Sequence, residues 1–145
     1  MEPENLAHLK QQLSEQIHGL RFTDALETKK TILQRQPDFD FDGFVDVDRL
    51  GCVLLHYGYS QADAARHVDL AFALLRQHKV HFEQYAMLID DDLEDSGIFV
   101  SLRVRADIEQ TLVMSDELYR ILDESIEDWN PAHLSVAIDP FVANE

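Results

Sequence analysis

Residues 98–105 read I-F-V-S-L-R-V-R, with Ile98, Val100, Leu102 and Val104 alternating with Phe99, Ser101, Arg103 and Arg105. A period of two places the first set on one face of a strand and the second on the other. The stretch therefore predicts a half-buried strand with its two arginines outward. It decides between an all-α chain and an α+β one, because most of the surrounding sequence has helical spacing. Beyond the turn signal at Ala106-Asp107, residues 108–114 are expected to return as a second strand, with Glu109 opposite an arginine. Leu134, Val136 and Ile138 alternate as a third. Strands at 98–105, 108–114 and 134–138 would form a small antiparallel sheet in a mostly helical α+β fold, with all-α as the alternative.

Residues 60–77, S-Q-A-D-A-A-R-H-V-D-L-A-F-A-L-L-R-Q, supply the helix that the rest is expected to pack around. Ser60 followed by Asp63 is a capping-box-like start. Ala64, Ala65, Val68, Ala71, Phe72 and Leu75 then make one face, which Leu70, Ala73 and Leu74 widen until the C-terminal half is apolar nearly all round. Upstream, Leu6, Leu9, Leu13 and Ile17 stripe a helix at 4–18 that Pro3 opens and Gly19 ends. Thr23 can cap a helix at 23–36, which Pro37 closes. Asp46 or Asp48 starts one at 47–57, burying Leu50, Val53, Leu54 and Tyr57, and Gly58 stops it. Ser115 is expected to cap a last helix, 116–129, ended by Asn130-Pro131. Residues 80–93 fit a helix through Phe82, Tyr85, Ala86, Ile89 and Leu93, and a strand through Val80, Phe82, Ala86 and Leu88. The helix fits slightly better and the choice stays open.

Residues 38–49 read D-F-D-F-D-G-F-V-D-V-D-R, and here the chain resembles an EF-hand calcium loop. Asp38, Asp40 and Asp42 alternate, Gly43 stands at the turn position, and Val45 falls where such loops carry an aliphatic residue. The resemblance implies calcium on Asp38, Asp40 and Asp42. Against it, the twelfth position is Arg49 where calcium takes a bidentate Glu, so two oxygen ligands are missing and a repelling cation is added. The same stretch also reads as an Asp42-Gly43 hairpin turn, or as a solvated acidic loop pinned by Phe39, Phe41 and Phe44. The loop is the favoured expectation.

At 145 residues, the length suits one domain, 1–145. Formal net charge is −16, and its distribution is uneven. Residues 1–36 balance five acids with five bases, whereas residues 80–145 hold sixteen acids against three bases. Such a field favours basic partners and repels nucleic acid and anionic membrane. The acids concentrate in Asp90, Asp91, Asp92, Glu94 and Asp95, and again in Asp116, Glu117, Asp123, Glu124, Glu127 and Asp128. The last two fall at the expected helix end, where the dipole disfavours them.

Chemistry-bearing motifs are sparse. With five glycines there is no Gly-rich phosphate loop, and no nucleophile elbow accompanies the serines. His67, His78 and His81 lack the Cys pair or H-E-x-x-H that zinc takes, so surface histidines are expected. The one cysteine, Cys52, excludes an internal disulfide, and its apolar neighbours suggest burial. Residues 54–68 resemble the opening of a helix-turn-helix, but the helix that follows is too apolar for a DNA groove. The Met-Glu-Pro-Glu opening lacks a signal-peptide pattern, and the longest apolar run, 70–75, is too short for a bilayer.

The expectation is a cytoplasmic, non-enzymatic acidic binding protein without a cofactor. It would engage a basic protein, as an inhibitor, immunity protein or secretion-type chaperone, through the C-terminal acids just named. A DNA mimic and a degenerate calcium module are the alternatives, and self-association is left open.

Overall fold

The computed structural model describes residues 3–90 and 96–142. Its elements run α1 (Pro3–His18), α2 (Phe22–Arg35), α3 (Val47–His56), α4 (Gln61–Gln77), β1 (Phe82–Asp90), β2 (Gly97–Val104), α5 (Ile108–Ser125) and β3 (Leu134–Pro140). The fold is α+β and mostly helical. No helix among the described residues is long and apolar enough to cross a membrane.

The predicted central strand holds. In β2, Ile98, Val100, Leu102 and Val104 are buried, while Phe99, Ser101 and Arg103 face the other way. The sheet order is β1-β2-β3. It is mixed, correcting the antiparallel expectation: β1 runs antiparallel to β2, but β3 lies parallel to it, pairing Ile98 with Leu134 and Val104 with Pro140. A parallel neighbour requires a crossover, and α5 supplies it.

That helix is the largest correction. Residues 108–114 are its first turns, not a strand. Asp107 caps it, its side chain accepting from the Gln110 N–H at 2.7 Å. The buried seam is Thr111, Met114, Leu118 and Leu122, so Ile108, Leu112 and Val113 stand exposed on the outside. Their apolar character favoured the strand, but the local cap and the spacing of the seam decide for helix. Ser115 therefore caps nothing; its hydroxyl donates to the Ile138 carbonyl of β3. Glu109 lies in the helix's first turn instead of opposite an arginine. The helix ends at Ser125, and Trp129 lies beyond it, half-buried against the core.

Residues 82–90 are strand, contrary to the slight preference for helix. Tyr85, Met87 and Ile89 turn to the core side, while Leu88, 62 % exposed, is on the open face. An edge strand with apolar residues on both faces blurs the period that would identify it.

Helix ends follow local chemistry. Ser60 and Asp46 cap α4 and α3 as expected, accepting from Asp63 N and Arg49 N. Thr23 does not cap α2, which already starts at Phe22 behind Arg21. Three helices close in the same way. Arg21 N donates to Gln16 O, Tyr59 N to Leu54 O and Val80 N to Leu75 O, each around a left-handed residue: Leu20, Gly58 and Lys79. Gly58 suits that conformation. Leu20 accepts it while its side chain is fully buried in the main core.

The core is in two parts. The larger packs α3, α4 and α5 on one face of the sheet, with Phe22, Leu54, Val68, Leu74, Leu102, Leu118 and Val136 at its centre. The smaller gathers Leu13, Ile17, Ala25, Ile32 and Val47, with Phe39, Phe41 and Phe44 closing it from residues 38–44. The expected all-round burial of α4 is not found: Ala73 faces solvent. Cys52 is exposed, because Leu50, Gly51, Val53 and Leu54 take the inward side of α3. His67 is fully buried, not a surface histidine.

Candidate functional site

The crossover brings Asp123, Glu124, Glu127 and Asp128 toward the end of the sheet where β2 and β3 begin. Because β2 and β3 are parallel, α5 runs back along them, and its C-terminal turns finish beside Ile98 and Leu134. The chain leaves β1 at Asp90, paired with Gly97, at that same end. Of the first acid cluster, Asp90 is half-buried there, and Asp91, Asp92, Glu94 and Asp95 lie outside the described residues.

The second cluster divides. Asp116, Asp123 and Glu124 are exposed on the outer side of α5. Glu127 and Asp128 are exposed just past its end, Asp128 with a left-handed backbone. Glu117 leaves the group: it turns toward α4, where its carboxylate meets His78 Nε2 at 3.0 Å. The remaining acids share the surface with Arg120, which is exposed on α5.

Between the α3–α4 turn and the end of α5 lies a cleft of about 660 Å³. One wall is built from an aromatic pair: the Tyr57 ring stacks on His133 with centroids 3.6 Å apart and planes 11° apart. Tyr57 is pinned by its hydroxyl, 2.7 Å from the Ser96 carbonyl, and His133 by its own carbonyl, which accepts from Ile98 N at 2.9 Å. Asn130 folds the intervening turn by accepting from Ala132 N. Gly97 permits that fit, since a Cβ there would stand 2.6 Å from the Ala132 carbonyl. Asp63 and Arg66 of α4 line the cleft together with Tyr59, and the exposed Glu127 and Asp128 form the rim. Burial, and then the charge of Asp63, push the Tyr59 hydroxyl above its ordinary pKa, so it stays a donor at neutral pH.

Beneath Tyr59 lies His67. Its Nδ1 sits 2.8 Å from the Asp63 carbonyl, so that nitrogen carries the proton, and Nε2 is buried without a partner. Burial pushes its pKa down against the opposing pull of Asp63. The imidazole is therefore neutral and structural.

The 38–49 stretch is occupied with local tasks. Asp42 N donates to Asp40 Oδ1, Asp46 caps α3, and Asp48 pairs with Lys29 at 2.7 Å. Arg49 reaches across to the Ile89 carbonyl. Phe44 N closes a turn onto Phe41 O around Gly43, with no strand on either side. No group of three His, Cys, Asp or Glu among the described residues is placed to hold a metal ion.

Sequence reasoning selected the acids but missed the cleft. Its aromatic wall comes from residues 57 and 133, far apart in sequence, and only the return of β3 beside β2 joins them. No family model matches the chain, and neither curated proteins nor solved structures give a match.

Proposed function

We propose that this chain is a non-enzymatic binding protein that captures a basic protein through the acidic end of its sheet. The observation that carries this is the convergence of Asp123, Glu124, Glu127 and Asp128 with the strand end at Asp90, produced by the α5 crossover. Carboxylates gathered on one end focus the field of a chain of net charge −16. They speed encounter with cationic surfaces and sharpen choice of partner more than they add affinity. An inhibitor, an immunity protein and an export chaperone would all use such a surface.

The test is the association rate with the basic protein recovered at low salt. It should fall about tenfold or more as ionic strength rises from about 0.05 to 0.5 M. Replacing Asp123, Glu124 and Glu127 by their amides should slow it at low salt, whereas Asp69→Asn on α4, which only breaks the exposed pair with Arg21, should not. A rate indifferent to salt sinks the proposal. Displacement of the partner by duplex DNA would move the assignment to a DNA mimic.

A further inference from the structure

We infer that the cleft between the α3–α4 turn and the end of α5 is a socket for an arginine side chain of the partner. This rests on the proposed capture of a basic protein and gives that surface its anchor point. Three carboxylates, Asp63, Glu127 and Asp128, line the cleft against one guanidinium, Arg66, which makes no ion pair with them. Ser125 and Ile126 bring the C-terminal pole of α5 into the same space, and that helix has no basic residue in its last turn. A helix C-terminus favours a cation, and the last turn of α5 supplies none of its own.

The shape selects among cations. At about 660 Å³, the space is far larger than a metal ion needs, and it has aromatic walls in Tyr59 and in the Tyr57–His133 stack. A planar guanidinium stacks on such rings while its fork of N–H donors reaches carboxylates at the rim, which a compact ammonium does less well. Tyr57 and His133 are already fixed by hydrogen bonds to the start of β2, so little ordering is needed on binding.

The experiment is an amide NMR titration of the full chain with Nα-acetyl-arginine amide, beside its neutral isostere Nα-acetyl-citrulline amide. Saturable shifts are expected at Tyr57, Tyr59, Asp63, Glu127 and His133 with the arginine probe, and none with citrulline. Glu127→Gln should weaken binding about threefold, the effect of a partly exposed ion pair. Asp128→Gly separates charge from fold. It removes a carboxylate but relieves a left-handed non-glycine residue, so binding should weaken while the unfolding midpoint holds or rises. Shifts confined to the outer face of α5, or an equal response to citrulline, would overturn the socket. Capture of a basic partner could survive that result, because it is judged by the salt dependence of the association rate. A socket that takes arginine in a chain whose association ignores salt would in turn remove the capture and leave the socket.

Discussion

The two parts of the core are closed in different ways. Around the sheet, three helices seal a single face, and residues from α3, α4, α5 and all three strands meet there. In the smaller core, four buried side chains of the N-terminal helical hairpin and Val47 of α3 are covered by phenylalanines from a connecting loop, and each of those rings is only partly buried. The first region is held by nonlocal packing of three helices on the sheet, and the second by α1 against α2 with a loop of alternating Asp and Phe as its cover. The acidic end and its cleft belong to the first. The molecule thus keeps its candidate site on the better-sealed part, where geometry is defined most tightly.

The contrast can be broken at its strong side first. Leu102→Ala, at the centre of the sheet face, should cost about 3–4 kcal/mol and lower the denaturation midpoint of every element together. Leu13→Ala in the smaller core should cost less, about 2 kcal/mol, since half-covered rings can collapse into the space. Hydrogen exchange should then show α1 and α2 opening well below the global unfolding energy. Equal costs, with uniform protection, would mean that the two parts are one cooperative unit.

A subtler probe uses protons. His67 in the main core has its pKa lowered by burial, so the unfolded chain takes up the proton first as pH falls. Its contribution is present above the unfolded value near 6.5 and is lost below it, at a slope approaching about 1.4 kcal/mol per pH unit. His18, half-buried against Tyr85 with its pKa also lowered mainly by burial, adds in the same direction at the seam between the two parts. Urea melts of the native chain should weaken from pH 7 to pH 5, and those of His67→Gln should flatten. An unchanged slope in that variant would place the titration elsewhere.

The smallest effect sharpens the picture at the helix ends. Lys79 and Leu20 both hold left-handed backbone, but Lys79 is exposed and Leu20 is fully buried. Lys79→Gly should gain about 0.5 kcal/mol by relieving the backbone. The same change at Leu20 should lose stability, because that side chain ties the N-terminal hairpin into the larger core.

These elements also mark where the sequence could be read. Caps at Asp46 and Ser60 and the alternation of residues 98–104 are local signals, and each appears as expected. The second half of α5 lies within the helix expected at 116–129, but its first turns read as strand because the apolar residues Ile108, Leu112 and Val113 lie outside its seam, whereas Thr111 lies within it. The direction of β3 is a topological property with no local signature, and it turned the expected antiparallel sheet into a mixed one. At the site, the acids were legible as charge. Glu117's diversion to His78 and the Tyr57–His133 wall depend on distant partners that no spacing announces.

Setting β3 beside β2 in the same direction also governs how the molecule can assemble. A whole helix must form and swing back before the sheet acquires its third member. Until residues 134–140 dock, the β1–β2 hairpin shows a bare apolar side, and a lone hairpin is marginal in water. Refolding should therefore wait on that docking step. Chains cut short of Leu134 should accumulate as sticky, aggregation-prone species instead of smaller native folds.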